Sequence, residues 1–368
     1  MPSTNPFRSI TPIPRADKLF LMAQNSVMKT SVRGTSESVP PIQRIRKKEA
    51  KRIELLSKEL RDRLFRIVED FPRMEAESIP PFYIEILDIS FGLDKIRKTL
   101  GSFSGAANVI WKIKREHLGD VWHSRSVLKA KQLRRAAFGR MKSVIIKLDT
   151  RLEFVETVRA HMRMMPGIDL DQPTICIAGY PNVGKSSLVN AVTAATPEIG
   201  AYPFTTKEVT LGHLEIPIYA PFRSEVPISH ISCQIVDTPG LLDRSLTERN
   251  EIEMRAIAAL KNLATAIVFI LDFTQDSSLI SQKNLFDEIS QQFAQVPILI
   301  ICGKEDILNE NQKTELRVFW KEYFIQPDMH ILSMNDKDKI KTLLINFYEK
   351  NQAQIQQILN KRKFGETS

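Results

Sequence analysis

A glycine-rich segment, Gly179–Ser186, has the residue types and the spacing of a loop that binds phosphate. An apolar run at 174–178 leads into it, and a helix-compatible stretch at 187–192 follows it. A strand, a turn and a helix in this order point successive backbone N–H groups at one anion, which also lies at the positive end of the helix dipole. We expect the Lys185 ammonium to reach the β- and γ-phosphates and the Ser186 hydroxyl to bind Mg²⁺. The spacing alone can arise by chance, but its context favours a phosphate site.

Two further segments fit a nucleoside triphosphate. The tetrapeptide Asp237–Gly240 follows an apolar run at 231–236. An aspartate at a strand end can hold Mg²⁺ through water, and the Gly240 N–H can contact the γ-phosphate. Alone, such a tetrapeptide is more often a simple turn. In the segment 202–206, Thr206 can complete the Mg²⁺ shell only while the γ-phosphate is present, which is the order–disorder switch of GTP-binding proteins.

A third segment, 303–306, follows the apolar run 297–302 where GTP-binding domains carry Asn-Lys-x-Asp for guanine. Lys304 and Asp306 are retained, but Gly303 replaces the asparagine. An asparagine amide there would bond the base and tie this loop to the phosphate loop. Losing a hydrogen bond of this kind costs about 0.5–1.5 kcal/mol, so we expect a weakened guanine preference. Further along the chain, backbone N–H groups at Ser333 and Met334 can donate to guanine O6.

Hydrolysis is predicted to be slow without help. Small GTPases place a glutamine directly after the glycine of the Asp-x-x-Gly motif to orient the attacking water, but this chain has Leu241 there. Asn182 offers another device, since a loop asparagine can help to hold K⁺ against the phosphates. It can equally be present because asparagine favours the turn. The expected ions are therefore Mg²⁺ and, if Asn182 acts in this way, K⁺.

Apolar runs alternate with helical segments beyond residue 173. The predicted strands lie at 174–178, 209–216, 231–236, 265–271, 297–302 and 329–332. This alternation is typical of an α/β P-loop GTPase domain with a doubly wound, mostly parallel sheet, which binds ligands at the carboxyl ends of its strands.

Helical periodicity without alternating strands characterises the preceding residues, so we expect an all-α helical-bundle domain ahead of the GTPase domain. The predicted helices start near residue 51 and continue at about 83–100, 104–118, 125–148 and 151–165. Four parts follow: an extended arm at 1–45, a basic helical bundle at 46–168, the GTPase domain at 169–350 and a C-terminal tail at 351–368, expected to be a helix extension that frays.

Positive charge is concentrated in the first part of the chain. Residues 1–168 contain 33 Lys and Arg against 18 Asp and Glu, whereas residues 169–368 contain 19 against 25. Such asymmetry indicates contact with a polyanion. Trp111, Trp122 and His123 are available to stack on RNA bases, although a solvated charged face is the alternative. The residues expected to bind RNA are Arg125, Lys129, Lys131, Arg134, Arg135, Arg140 and Lys142.

No apolar stretch reaches the roughly 18 residues needed to span a bilayer, so we expect no membrane partner. The three cysteines are far apart and lie in apolar runs, as expected of buried, inert thiols. Such thiols suit a reducing cytoplasm, where we expect the protein to be a monomer.

The motifs and their neighbours resemble the Nog-type nucleolar GTP-binding proteins (nucleolar GTP-binding protein 1 family), relatives of the Obg GTPases. The resemblance covers roughly residues 5–350 and is carried by Tyr180–Ser187, Phe204–Lys207, Asp243–Met254, Ala137–Met141 and Val158–His161. It implies a GTPase switch that assists assembly of the large ribosomal subunit and contacts its RNA. Eukaryotic members have a long C-terminal extension that this sequence lacks, which suggests a prokaryotic form, archaeal in origin.

The expected partners are GTP and GDP together with the large ribosomal subunit or its precursor. Two other functions remain open: a nucleotide-stabilised structural RNA-binding assembly factor with negligible hydrolysis, and a GTPase that acts on transfer RNA or a membrane surface. The expected catalytic residues are Lys185, Thr206 and Gly240, and the expected metal ligands are Ser186, Thr206 and Asp237. The expected nucleotide contacts are Asn182, Val183, Gly184, Lys185, Ser186, Ser187, Phe204, Thr205, Thr206, Asp237, Gly240, Lys304, Asp306, Ser333 and Met334.

Overall fold

The computed structural model describes residues 5–29, 40–75, 79–193, 197–201, 208–219, 227–237, 242–243, 249, 251–274, 278–324 and 330–364. The chain forms two compact units, and each combines segments that are distant in sequence. The helical unit consists of Phe7–Ile79 and Phe91–Arg163, and the GTPase unit consists of Met1–Pro6, Pro80–Ser90 and Met164–Ser368.

The helical unit is built on long amphipathic helices. Its helices are α1 (Ala16–Lys29), α2 (Pro41–Asp70), α4 (Leu93–Trp122), α5 (Val127–Ile146) and α6 (Asp149–Met164); α3 belongs to the other unit. On α2, the side chains of Ile53, Leu56, Leu60 and Leu64 recur at steps of three and four and are fully buried. This stripe lets α2 pack against α4 and α5, while α1 packs against α2 and α5.

Two expectations about these helices were wrong. The segment 1–45, expected to be an extended arm, contains α1 and the start of α2. On α1, Leu19, Ala23 and Val27 are buried at steps of four, a periodicity that the proline-rich surroundings obscured. The helix expected at 83–100 is interrupted at Gly92, whose positive φ of 76° ends one helix, and α4 then continues through 104–118.

Helix α3 (Pro81–Phe91) packs within the GTPase unit although the bundle's helices flank it in sequence. The Tyr83 hydroxyl donates to the carbonyl of Pro166 at 2.6 Å and accepts from the N–H of Ile168 at 2.8 Å. The Glu85 carboxylate accepts from the Asn262 amide at 2.8 Å. These bonds and the complete burial of Tyr83 fix α3 to the segment that leads into the sheet.

The GTPase unit contains a seven-stranded sheet in the order β2-β3-β4-β1-β5-β6-β7. Strands β4, β1, β5, β6 and β7 are parallel, and β2 and β3 form an antiparallel edge. The α/β P-loop fold behind a helical domain is confirmed. The strands are β1 (Thr174–Ala178), β2 (Glu198–Ala201), β3 (Glu208–Ile218), β4 (Ser229–Asp237), β5 (Ala266–Leu271), β6 (Ile298–Cys302) and β7 (His330–Ile331).

Helices of the GTPase unit cover the sheet. After α3 they are α7 (Lys185–Val192), α8 (Glu251–Lys261), α9 (Leu279–Gln292), α10 (Glu310–Tyr323), α11 (Lys337–Lys350) and α12 (Gln352–Phe364). The tail expected to be a fraying helix extension forms helix α12, on which Ile355 and Leu359 are buried in the core cluster of the GTPase unit. Burial also raises the pKa of Cys176 on β1 to about 12, so this thiol is inert. Within the described ranges, every helix is too short or too polar to cross a bilayer.

Candidate nucleotide-binding site

The phosphate loop joins β1 to α7 at the carboxyl edge of the sheet. Three of its residues adopt left-handed or otherwise positive φ: Gly179 at 135°, Asn182 at 64° and Gly184 at 101°. A Cβ on Gly179 would lie 2.4 Å from the carbonyl oxygen of Ile270, so only glycine fits this close approach to β5. The loop is thereby drawn over the strand ends, where α7 begins at Lys185. The N-terminus of a helix carries partial positive charge and favours an anion.

Lys185 lies at the start of α7, and its side chain is buried beneath the loop. Its ammonium donates to the carbonyls of Gly179 and Tyr180, each at 2.8 Å. The positive charge is therefore held inside the turn that would enclose a phosphate. The amide of Gly179 in turn donates to the carbonyl of Leu242 at 2.9 Å, which ties the loop to the segment after β4.

Ser186 and Asp237 meet because β1 and β4 are adjacent and parallel, with Ile177 opposite Asp237. The Ser186 hydroxyl donates to Oδ2 of Asp237 at 2.6 Å, and Asp237 is fully buried. A hydroxyl and a carboxylate at this separation supply the hard oxygen ligands that Mg²⁺ requires. The residues present therefore fit a magnesium ion.

A cavity of about 440 Å³ opens over the phosphate loop. Its lining combines loop residues with one carboxylate at the end of β4 and one from the segment that follows it: Pro181, Asn182, Gly184, Lys185, Ser186, Ser187, Asp237 and Asp243. Val183 differs from its neighbours, because its side chain points into the core and is fully buried. Asp243, which is only 4% exposed, was not among the expected contacts. The sequence signal for this contact was a carboxylate three residues after the glycine of the Asp-x-x-Gly motif.

The loop expected to recognise the base follows β6. Lys304 has a left-handed φ of 62°, and its ammonium lies 2.6 Å from Oδ2 of the buried Asp272. Asp272 also accepts from the Thr274 N–H at 2.8 Å and hydroxyl at 2.7 Å. The Asp306 side chain is exposed to solvent, as a group that accepts from a ligand must be. Sequence reasoning missed Asp272, although a carboxylate directly after the buried strand β5 was a signal for it.

Ser333 and Met334 follow β7 and adjoin the base loop. The N–H of Glu305 donates to the carbonyl of Leu332 at 3.3 Å, which links the two loops. The remaining expected contacts, Phe204, Thr205, Thr206 and Gly240, lie outside the described residues, as does Leu241. Among the described residues, the structure thus brings those expected to bind the phosphates, the metal and the base to one edge of the sheet.

In the helical unit, α5 presents most of the expected RNA contacts to solvent. The exposed side chains are those of Arg125, Lys129, Lys131, Arg135, Arg140 and Lys142. Arg140 pairs with Glu116 at 2.8 Å, and Lys142 lies 3.7 Å from Asp17. Nearby on α4, Trp111 is 39% exposed, and the Arg115 guanidinium lies 4.8 Å from its ring centre.

Arg134 requires a correction, because its side chain is only 13% exposed. Its Nε lies 2.5 Å from Oε2 of Glu49, which is itself 2% exposed, and its guanidinium lies 5.0 Å from the ring centre of Phe138. One helical turn separates Arg134 from the buried Ala130 and Ala137, so it is on the inner face of α5. Arg134 therefore stabilises the bundle and is not available to RNA.

Comparison with known proteins matches both parts of the chain. The family model for the NOG1 N-terminal helical domain matches residues 7–169, and that for a 50S ribosome-binding GTPase matches residues 174–304. An uncharacterised protein of Methanocaldococcus jannaschii is 33% identical over 84% of this chain and 83% of its own length. The nucleolar GTP-binding protein 1 of Caenorhabditis elegans is 36% identical over 83% of this chain, and that of Arabidopsis thaliana is 34% identical over 73%. The chain spans 43% and 38% of the lengths of these two relatives.

Proposed function

Since the chain belongs to the NOG1 family of GTP-binding proteins, we propose that it is a GTPase switch that assists assembly of the large ribosomal subunit. The observation that supports this best is the edge of the sheet at which the Lys185 ammonium and the Ser186–Asp237 pair meet. Lysine, hydroxyl and carboxylate there are the groups that phosphoryl transfer from a nucleoside triphosphate needs.

Each group has a part in binding. The N–H groups of residues 183–187 would bind the β-phosphate. The Lys185 ammonium, which donates to two carbonyls, would exchange these acceptors for phosphate oxygens. Ser186 and Asp237 would hold Mg²⁺, which would neutralise charge on the phosphates. Asp306 accepts from the guanine base.

Turnover is proposed to be slow in the isolated protein. Leu241 can neither donate a hydrogen bond to a water molecule nor accept one, so the attacking water lacks the side chain that small GTPases use. Thr206 and Gly240 are the proposed switch residues that respond to the γ-phosphate. The left-handed φ of Asn182 accounts for asparagine in the turn, and a role in holding K⁺ adds to this if K⁺ accelerates hydrolysis.

The proposed RNA surface is the exposed basic face of α5 together with Trp111 on α4. Residues 101–150 contain 11 Lys and Arg but only 3 Asp and Glu, so little of this charge is neutralised locally. Such a surface suits the phosphate backbone of ribosomal RNA, with Trp111 available for stacking. We place the protein in the cytoplasm, since its three cysteines are buried free thiols.

The alternative is a structural assembly factor that binds nucleotide without appreciable hydrolysis, and Leu241 is the observation that favours it. The two differ in phosphate release, which would be measured with GTP in K⁺ or Na⁺ buffer, with and without purified large ribosomal subunits. Release that is stimulated by subunits and absent in Lys185→Ala supports the GTPase switch. Release at background under all conditions, with GTP bound, would favour the structural factor.

Partner choice needs a separate measurement. Co-sedimentation with large subunits at moderate salt, competed by transfer RNA or by anionic vesicles, distinguishes the proposed target from other polyanions. Retention on the subunits in the presence of both competitors supports the ribosomal target. Release of the protein from the subunits by transfer RNA or by vesicles would indicate that this competitor is the target instead.

A further inference from the structure

The position at which Gly303 replaces the expected asparagine is closely surrounded. A Cβ placed on Gly303 would lie 3.3 Å from Cε of Met334, 3.3 Å from the carbonyl oxygen of Val183 and 3.6 Å from Cγ2 of Ile270. Two of these neighbours belong to other parts of the site, because Val183 is in the phosphate loop and Met334 follows β7. A side chain at position 303 would therefore be in close contact with both other segments.

Met334 also reaches the phosphate loop directly. A Cβ on Gly184 would lie 3.4 Å from Cγ and 3.9 Å from Cε of Met334. The methionine side chain thus lies between the phosphate loop at Gly184 and the base loop at Gly303, and it packs against the core cluster that includes Val183 and Ile270. A thioether chain is unbranched and adapts to an irregular gap of this kind.

Main-chain hydrogen bonds fix both ends of this arrangement. The Gly303 N–H donates to the carbonyl of Leu271, and the Leu332 N–H donates to the carbonyl of Cys302, each at 2.9 Å. Met334 lies two residues beyond Leu332, so this hydrogen bond fixes the position of its backbone next to Gly303.

From these contacts we propose that Met334 is a positioning residue, which braces the base loop against the phosphate loop by apolar packing in place of the amide missing at Gly303. The inference rests on the proposed nucleotide site and deepens it. Asparagine would connect the loops by a directional hydrogen bond, whereas Met334 fills the same gap through its volume. Position 303 then favours glycine, because a Cβ there would come within 3.3 Å of the methionine side chain.

A consequence is that restoring asparagine alone does not improve binding. In Gly303→Asn the new Cβ meets Met334 and the Val183 carbonyl, and one of these must move. We expect this variant to bind GDP several-fold more weakly than the wild type. Met334→Ala removes the brace and is expected to weaken GDP binding by roughly three- to tenfold.

The test is a double-mutant cycle on GDP affinity, measured by calorimetry with the full chain. Gly303→Asn/Met334→Ala makes room for the amide, so its affinity should exceed the value predicted by adding the two single effects, by about fivefold or more. Met334→Leu is the matched control, since it retains the volume and should bind within about twofold of the wild type. Met334→Val, which shortens the side chain without the full loss of volume, should fall between Leu and Ala and serves if the alanine variant does not fold.

The outcomes separate the two proposals. Additive single effects, or wild-type affinity in both Met334→Ala and Met334→Val, would overturn the bracing role while leaving the nucleotide site intact. Failure of the wild-type chain to bind GDP would instead overturn the proposed function, and the brace with it. Coupling between positions 303 and 334, with Met334→Leu unchanged, supports the brace.

Discussion

Replacing Arg134 by alanine should destabilise the helical unit without directly affecting RNA contacts. The substitution leaves the Glu49 carboxylate, which is 2% exposed, without the guanidinium 2.5 Å away. Removing one partner of a buried ion pair costs about 3–5 kcal/mol. Arg52 remains 3.1 Å from the other Glu49 oxygen and still neutralises part of the carboxylate charge, which lowers this cost. Loss of the Arg134 contact with the Phe138 ring adds about 0.5–1 kcal/mol. The expected net loss is about 2–4 kcal/mol.

Urea unfolding followed by circular dichroism measures this loss, and Arg135→Ala is the matched control. Arg135 is the next residue on α5 but its side chain is exposed, so its removal should change the free energy of unfolding by less than about 0.5 kcal/mol. For RNA binding we expect the opposite order, with the larger effect from Arg135→Ala. Arg135→Ala should reduce the dependence of log K on log salt for a large-subunit RNA fragment by about one unit, and Arg134→Ala should not alter this slope.

A third variant separates stability from binding if Arg134→Ala is poorly folded. Glu49→Leu/Arg134→Met replaces the ion pair by apolar side chains of similar volume, which is often neutral or stabilising. It should therefore recover stability and bind RNA with the wild-type salt slope. A reduced slope in this variant, or wild-type stability in Arg134→Ala, would show that Arg134 acts at the RNA surface and that its ion pair is dispensable.

Three further perturbations test the GTPase unit. Lys185→Ala should lower GDP affinity by roughly a hundredfold, because charge-assisted bonds to the phosphates are lost; unchanged affinity in calorimetry would refute the phosphate-loop assignment. Asp272→Asn removes the negative charge 2.6 Å from the Lys304 ammonium and should weaken GDP binding about tenfold, an effect that should vanish in a Lys304→Met background. Burial raises the pKa of Glu85 above 4.5, although the bond from Asn262 opposes this. Since the folded state binds this proton more tightly, the free energy of unfolding should fall as pH rises above 4.5, and Glu85→Gln should flatten that dependence; an unaltered pH profile would contradict it.

The sequence predicted those parts of the structure that depend on local signals. Strand β1, the turn at Gly179 and helix α7 follow from an apolar run, a glycine-rich turn and helical periodicity that are contiguous. The adjacency of Ser186 and Asp237 also followed, because parallel strands place their carboxyl ends at one edge of a sheet.

Features that depend on contacts between distant residues were not predictable. Arg134 and Arg135 are adjacent residues of the same type, and only the fold determines which of them contacts Glu49. Met334 was expected to act through its backbone, and nothing local indicates that its side chain fills the gap left at Gly303. The interruption at Gly92 was similarly hidden, since glycine is tolerated within helices as well as at their ends.

Because α3 belongs to the GTPase unit, it limits which fragments of the chain can be expressed separately. Expression of a fragment that begins at residue 169, where the sequence alone suggests a boundary, would omit Phe82 and Tyr83, both of which are fully buried within the GTPase unit. Such a fragment would expose an apolar groove and aggregate. A soluble version requires residues 80–90, retained in cis or supplied as a peptide, together with residues 164–168, which include the Tyr83 partners Pro166 and Ile168. The helical unit therefore consists of two stretches, one on each side of a short segment that belongs to the GTPase unit.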